Sequence, residues 1–154
     1  MTSSNGGIGI KIGGYSEGHL LAQAKKTVDK KSSETPIFNL EAEGRIPKFD
    51  SDELFIGRVL GRGGFCKVSE VTKVALKEGT EQISDRDRYN EHQISNFVQD
   101  REFMQTHYLR KGKDFRYAIK KLKEDATSDV QTYINGIVDL AIEARFLAVI
   151  RHPK

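Results

Sequence analysis

Leu60-Gly61-Arg62-Gly63-Gly64-Phe65-Cys66-Lys67-Val68 is the stretch on which the reading of this chain turns. Leu54-Phe55-Ile56 and Val59-Leu60 precede it, with Gly57-Arg58 between them. Phe65, Val68, Val71 and Val74-Ala75-Leu76 follow, and Glu78-Gly79 closes the run. Two apolar, β-branched runs joined by a glycine cluster predict a hairpin. A backbone that closes over a bulky ligand cannot carry Cβ atoms where it comes nearest, and Gly61 and Gly63 stand at those points, with Gly64 adding freedom. Phe65 sits at the tip. Leu60 and Val68 fall on one face and can sandwich a planar ring. Taken alone, the glycines also do no more than mark a turn.

Other phosphate-binding loops fit poorly. A P-loop requires G-x-x-x-x-G-K-[ST], whereas Gly61 leads to Cys66-Lys67-Val68. A dinucleotide fingerprint requires a helix after the glycines, and the residues here alternate as a strand does. Gly7-Ile8-Gly9 has neither the G-x-G-x-x-G spacing nor a strand before it.

Downstream, Arg116 to Lys123 reads as a third strand. Two segments match a strand ending in lysine, Val74-Ala75-Leu76-Lys77 and Tyr117-Ala118-Ile119-Lys120. Val68 to Val74 leaves no room for a turn and a further strand, so Lys77 is expected at the exposed end of the second strand. Lys120 lies 23 residues before Glu143, enough for a strand end, a loop and half a helix. A helix is predicted over Ile137–Ile150 and stopped by Pro153. Ser128 and Gln131 have the spacing of a capping box before it, and Asn135-Gly136 is a weak point. Glu143 stands among Leu140, Phe146 and Leu147 at helical spacing. If those residues face the sheet, so does Glu143, and an inward carboxylate needs a cation such as a lysine on the adjoining strand.

These pieces occur in the order of a eukaryotic-type protein kinase domain, which the span from about Asp52 to Lys154 resembles. The resemblance rests on Gly61–Val68, on Tyr117–Lys120, and on Glu143-Ala144-Arg145-Phe146-Leu147-Ala148-Val149-Ile150-Arg151-His152-Pro153. It implies an α+β small lobe, an antiparallel sheet of three strands with one principal helix packed on it. It also implies ATP as ligand. Gly61, Gly63, Gly64 and Phe65 would lie over the phosphates. Leu60, Val68 and Ala118 would line the adenine pocket, and Lys120 would bind the α- and β-phosphates and pair with Glu143. Two departures stand out. Cys66 replaces the third glycine of the loop, and residues 80–114 are inserted where kinases have a short turn. Ile94, Phe97, Val98, Met104 and Tyr108 give that insertion a helical spacing.

The family's catalytic loop, H-R-D-x-x-x-x-N, and its metal-binding D-F-G do not occur in the chain. Arg86-Asp87 follows Asp85 and precedes the third strand, so it cannot serve. The resemblance therefore implies the N-terminal part of a kinase that, when complete, transfers the γ-phosphoryl of ATP to a serine or threonine hydroxyl of a protein substrate. Magnesium would be held mainly by residues absent here, and these 154 residues alone are expected to be inactive. The alternative is a non-catalytic module that keeps the small-lobe shape and docks through the helix over 137–150.

Residues 1–50 differ in texture. Gly6, Gly7, Gly9, Gly13, Gly14 and Gly18 crowd the start, and a lysine- and serine-rich stretch runs from Lys25 to Ser33. Leu20-Leu21 can begin a short helix, but the composition predicts a disordered segment. The formal net charge of +3 with interspersed signs suggests neither a nucleic-acid nor a membrane surface. The single cysteine excludes an internal disulfide framework and a cysteine-based zinc site, and points to a reducing intracellular, cytoplasmic setting. Cys66, beside Lys67 in a turn, is expected to react with thiol reagents. The first residues lack an apolar signal core, and Thr2 stands where myristoylation needs glycine.

Overall fold

The computed structural model describes residues 11–77, 91–112 and 114–150. Among them the chain is α+β. In order, the elements are β1 (Lys11–Ile12), β2 (Tyr15–Ser16), α1 (Glu17–Ser33), α2 (Leu40–Gly44), β3 (Leu54–Arg62), β4 (Cys66–Val74), α3 (Glu91–Thr106), β5 (Tyr117–Leu122), a 3-10 turn (Glu124–Thr127) and α4 (Val130–Val149). The chain divides into two compact units. One takes residues up to Phe38 and from Leu122 onward, and the other takes Asn39–Lys121.

The first unit is built on two helices from distant parts of the sequence. β1 and β2 pair Lys11 with Ser16 and Ile12 with Tyr15. Gly13 and Gly14 make the turn with φ of 56° and 86°, the left-handed conformation that a two-residue hairpin demands. The Ser16 side chain then accepts the His19 N–H (3.3 Å) and starts α1. Leu20, Ala24 and Val28 recur every fourth residue and are buried on one stripe. They pack with Ile12 against Tyr133, Ile134 and Val138 of α4, and Leu122, Ile137, Ala141 and Ile142 close the rim. The expected disorder of residues 1–50 is thus overturned from Lys11 onward, while Gly6, Gly7 and Gly9 lie outside the described residues.

Three expectations about α4 also change. The helix starts at Val130, and Asp129, not Ser128, is its N-cap, its Oδ2 accepting the Thr132 N–H at 2.7 Å. The Ser128 hydroxyl instead donates to the Asp125 carbonyl (2.6 Å), where it finishes the 3-10 turn. Asn135-Gly136 does not break the helix. Gly136 is buried within it, and Gln131 donates across the turn to Asn135 (2.9 Å). The buried face of α4 meets α1 through Tyr133, Ile134 and Val138, whereas Phe146 and Leu147, expected to face a sheet, are 40% and 63% exposed. Phe146 meets Phe38 edge-on, with centroids 4.8 Å apart. Arg151, His152 and Pro153 lie outside the described residues.

The second unit holds the predicted sheet, in the strand order β3-β4-β5, with β3 and β4 antiparallel. α3 fills the described part of the insertion over 80–114. The segment after it folds back on itself. Leu109 bridges Phe115, Arg110 N–H donates to the Asp114 carbonyl, and Arg116 N–H donates to the Tyr108 carbonyl.

α3 carries no fully buried residue among those described, and a polar clamp ties it to the sheet. Glu53, just before β3, is fully buried. Its carboxylate accepts the N–H groups of Asp50 (2.9 Å) and Lys77 (3.3 Å) and meets Arg101 Nη2 of α3 at 2.5 Å. Arg101 also donates to the Lys48 carbonyl (2.7 Å), and its guanidinium carbon lies 5.2 Å from the Phe49 ring centroid. Burial pushes the Glu53 carboxyl up. The two N–H donors and the Arg101 charge outweigh it and hold the group below its ordinary value.

Candidate functional site

The glycine turn predicted from sequence is present. β3 and β4 run on either side of it, and Gly63 N–H donates to the Cys66 carbonyl at 2.7 Å, closing a tight loop. Gly61 pairs with Val68, and Arg62 pairs with Lys67. Added Cβ atoms at Gly61 and Gly64 would meet nothing within 4 Å, and at Gly63 only the Cys66 carbonyl oxygen at 3.7 Å. No positive φ is needed at any of the three. Among the described residues the space beside Gly61 and Gly64 is therefore open, and neither fold nor packing requires glycine there. The hairpin needs its glycine elsewhere. At Gly57 a Cβ would come within 2.5 Å of Thr72 Cγ2 and 2.8 Å of Glu70 Cγ. Glu70 lies across the strand at that point and binds Arg58 through Oε2 to Nε (3.1 Å) and Oε1 to the backbone N–H (3.3 Å). Gly57, read from sequence only as an interruption, is what lets that side chain lie flat.

Around the turn, Leu60 is 52% exposed, while Phe65 and Val68 are half-buried. β5 lies beside β4 and presents Ala118 and Lys120, both exposed. The sheet thus brings Leu60, Gly61, Gly63, Gly64, Phe65, Val68, Ala118 and Lys120 into one three-stranded layer. Glu143 is half-buried on α4 and belongs to the other unit, so the two members of the expected Lys120–Glu143 pair are each described within their own unit. Lys77 falls three residues beyond the end of β4, exposed as expected, and its ammonium pairs with Asp52. That contact lowers the Asp52 carboxyl and raises the Lys77 ammonium from their ordinary values.

Cys66 departs from expectation. It is 6% exposed at the first position of β4, so its sulfur is shielded and not presented at the loop surface.

In the same unit an open cleft of about 520 Å³ runs between α2 and α3, lined by Glu41, Arg45, His92, Asn96, Phe97 and Asp100. Arg45 and Glu41, both in its lining, pair at 2.5 Å. Among the described residues no group of three or more His, Cys, Asp or Glu can hold a metal ion, and no helix is long and apolar enough to cross a membrane. No family model matches the chain, and neither the curated proteins nor the solved structures contain a significant match to it.

Proposed function

We propose that this chain supplies the nucleotide-binding small lobe of an ATP-dependent protein kinase of the serine/threonine type. The observation that carries the reading is the sheet itself. A glycine turn joins β3 to β4, and the strand next to β4 carries Lys120. The open space over Gly61 and Gly64 fits a phosphate chain, and exposed Leu60 fits the face of a purine. Lys120 would neutralise phosphate charge. The chain carries no H-R-D-x-x-x-x-N or D-F-G sequence, so magnesium would come to this surface on the nucleotide. Phosphoryl transfer needs those further groups, which makes binding, not turnover, the activity expected of these residues.

Calorimetric titration of the 154-residue chain with MgATP tests the reading. Weak binding that Lys120→Met and Leu60→Asp each reduce supports it. MgATP affinity indifferent to both changes, or no heat at millimolar nucleotide, rejects it. A second reading, a non-catalytic interaction module, draws on the apolar end of α4, where Leu147 and Ile150 are 63% and 60% exposed.

A further inference from the structure

The cleft between α2 and α3 takes no part in the nucleotide reading, and its two walls use their charges differently. On the α2 wall, Glu41 and Arg45 stand one turn apart and pair with each other at 2.5 Å. On the α3 wall, His92, Asn96 and Asp100 recur every fourth residue and so share one helix face. Among the described residues, none of these three side chains makes a hydrogen bond or an ion pair. Arg101, next to Asp100 in sequence, spends its guanidinium on buried Glu53 and on the Lys48 carbonyl. That clamp joins α3 to the segment that follows Arg45, and it fixes the walls of the cleft at that end. The lining carries two carboxylates against one guanidinium, and the guanidinium is already committed to Glu41. Asp100 is the carboxylate whose charge the cleft does not balance.

We infer that this cleft binds a short extended peptide segment that carries one basic side chain, arginine or lysine. Charge selects the basic residue. An anion would meet a surplus carboxylate, whereas a single cation balances it at Asp100. Length selects the peptide. At about 1.5 Å of rise per residue, Asn96 lies about 6 Å and His92 about 12 Å along α3 from Asp100. An extended backbone covers about 12 Å in three to four residues. Its N–H and C=O groups then pass the Asn96 amide, which both donates and accepts, and the His92 ring. Phe97, half-buried in the lining, offers apolar surface to the methylene stem of the basic side chain. A bare amine would satisfy Asp100 and leave Asn96 and His92 unused. The inference goes beyond the nucleotide reading and does not rest on it, because the cleft shares no residue with the glycine turn or with Lys120.

The test is an NMR titration of the isotope-labelled full chain with a capped pentapeptide, one arginine flanked by two alanines on each side. A second peptide carries citrulline, the neutral isostere of arginine, at the centre. Millimolar peptide is expected to move the amide signals of residues 41–45 and 92–100. The arginine peptide should bind about fivefold more tightly than the citrulline peptide, the upper end for an exposed ion pair. Asp100→Asn should erase that preference. Glu102→Gln, which removes the same charge from another face of α3, should keep it. Asn96→Ala should weaken both peptides alike, by about fivefold, the worth of one neutral hydrogen bond. Asn96, Asp100 and Glu102 are all exposed, so the variants keep the fold. No shift in these signals at millimolar peptide overturns the inference. So does a preference for arginine that survives Asp100→Asn, or one that Glu102→Gln removes equally. Agmatine, which carries the guanidinium without a peptide backbone, overturns the peptide assignment if it binds as tightly as the arginine peptide.

Discussion

Arg101→Met should release α3 from the sheet while leaving the α1–α4 unit folded. The substitution keeps an unbranched apolar stem but removes the ion pair to Glu53 at 2.5 Å, the bond to the Lys48 carbonyl at 2.7 Å and the contact with the Phe49 ring. Breaking a buried pair from one side typically costs 3–5 kcal/mol, because the remaining charge stays buried. Here Glu53 retains the N–H donors of Asp50 and Lys77, and Arg101 is 20% exposed, so the lower end applies, about 3 kcal/mol. Adding Glu53→Gln should recover part of this, because a neutral amide still accepts the two N–H groups and leaves no buried charge. The coupling in the double-mutant cycle should be about 2 kcal/mol. Urea unfolding followed by far-UV circular dichroism gives the energies, and hydrogen exchange over 91–106 reports where the loss occurs. The acid limb adds a sign. Glu53 titrates below its ordinary 4.5 in the folded state, so its stabilisation is complete above that pH and is lost as pH falls through the lower folded value. Arg101→Met should flatten that limb. A loss under about 1 kcal/mol, well short of a buried-pair cost, would refute the reasoning, as would unchanged exchange across α3.

Other outcomes follow from the same geometry. The Tyr133 phenol, pushed up to about 12 by burial first and then by the Glu17 carboxylate that accepts its proton at 2.9 Å, makes stability complete below the unfolded value near 10 and progressively lost as pH rises towards 12. Tyr133→Phe should abolish that alkaline slope in a circular dichroism titration and cost about 1 kcal/mol at neutral pH. Gly57→Ala should cost about 1–3 kcal/mol by forcing Glu70 and Thr72 aside, whereas Gly64→Ala should change urea midpoints by less than about 0.5 kcal/mol. Cys66 should react with a disulfide reagent at least ~100-fold more slowly in the native chain than in urea, because access requires local opening; equal rates would place the thiol at the surface.

The parts of the fold that could be read from the sequence are those whose local chemistry is unambiguous. β-branched residues alternating on both sides of a glycine cluster left little choice but a hairpin, and the lysine-ended strand and the 137–150 helix carried strong periodic patterns. α1 read as no more than the start of a short helix in a disordered segment because its buried stripe is narrow. Leu20, Ala24 and Val28 present one large side chain and two small ones in a lysine-rich segment, which matches a solvated tail as well as it matches a helix. Only the partner stripe on α4, more than a hundred residues later, distinguishes the two. At the start of α4, Ser128 and Asp129 are both competent caps, and the capping-box spacing favoured the wrong one. The carboxylate reached the Thr132 N–H, and the hydroxyl was already used by the turn before it. The Glu53–Arg101 clamp has no local signature at all, since the residues are 48 apart and each resembles an ordinary surface charge. Of the candidate site, the grouping of Leu60, the turn glycines and Val68 was readable because it is one hairpin. The burial of Cys66 was not, because it depends on what the strand packs against.

The packing of α1 on α4 has a consequence for synthesis. α1 ends at Ser33, and the helix that covers its apolar stripe does not begin until Val130. At about 5–20 residues per second, α1 leaves the ribosome roughly 5–20 s before its partner exists. During that interval Leu20, Ala24 and Val28 face water, and the helix has no more than its own marginal stability to hold it. The hairpin and α3 come out in between and can close on local contacts without waiting. Nascent chains stalled near residue 121 should therefore carry a folded middle and an unsheltered beginning. It is at that point in translation that this chain has most need of a chaperone.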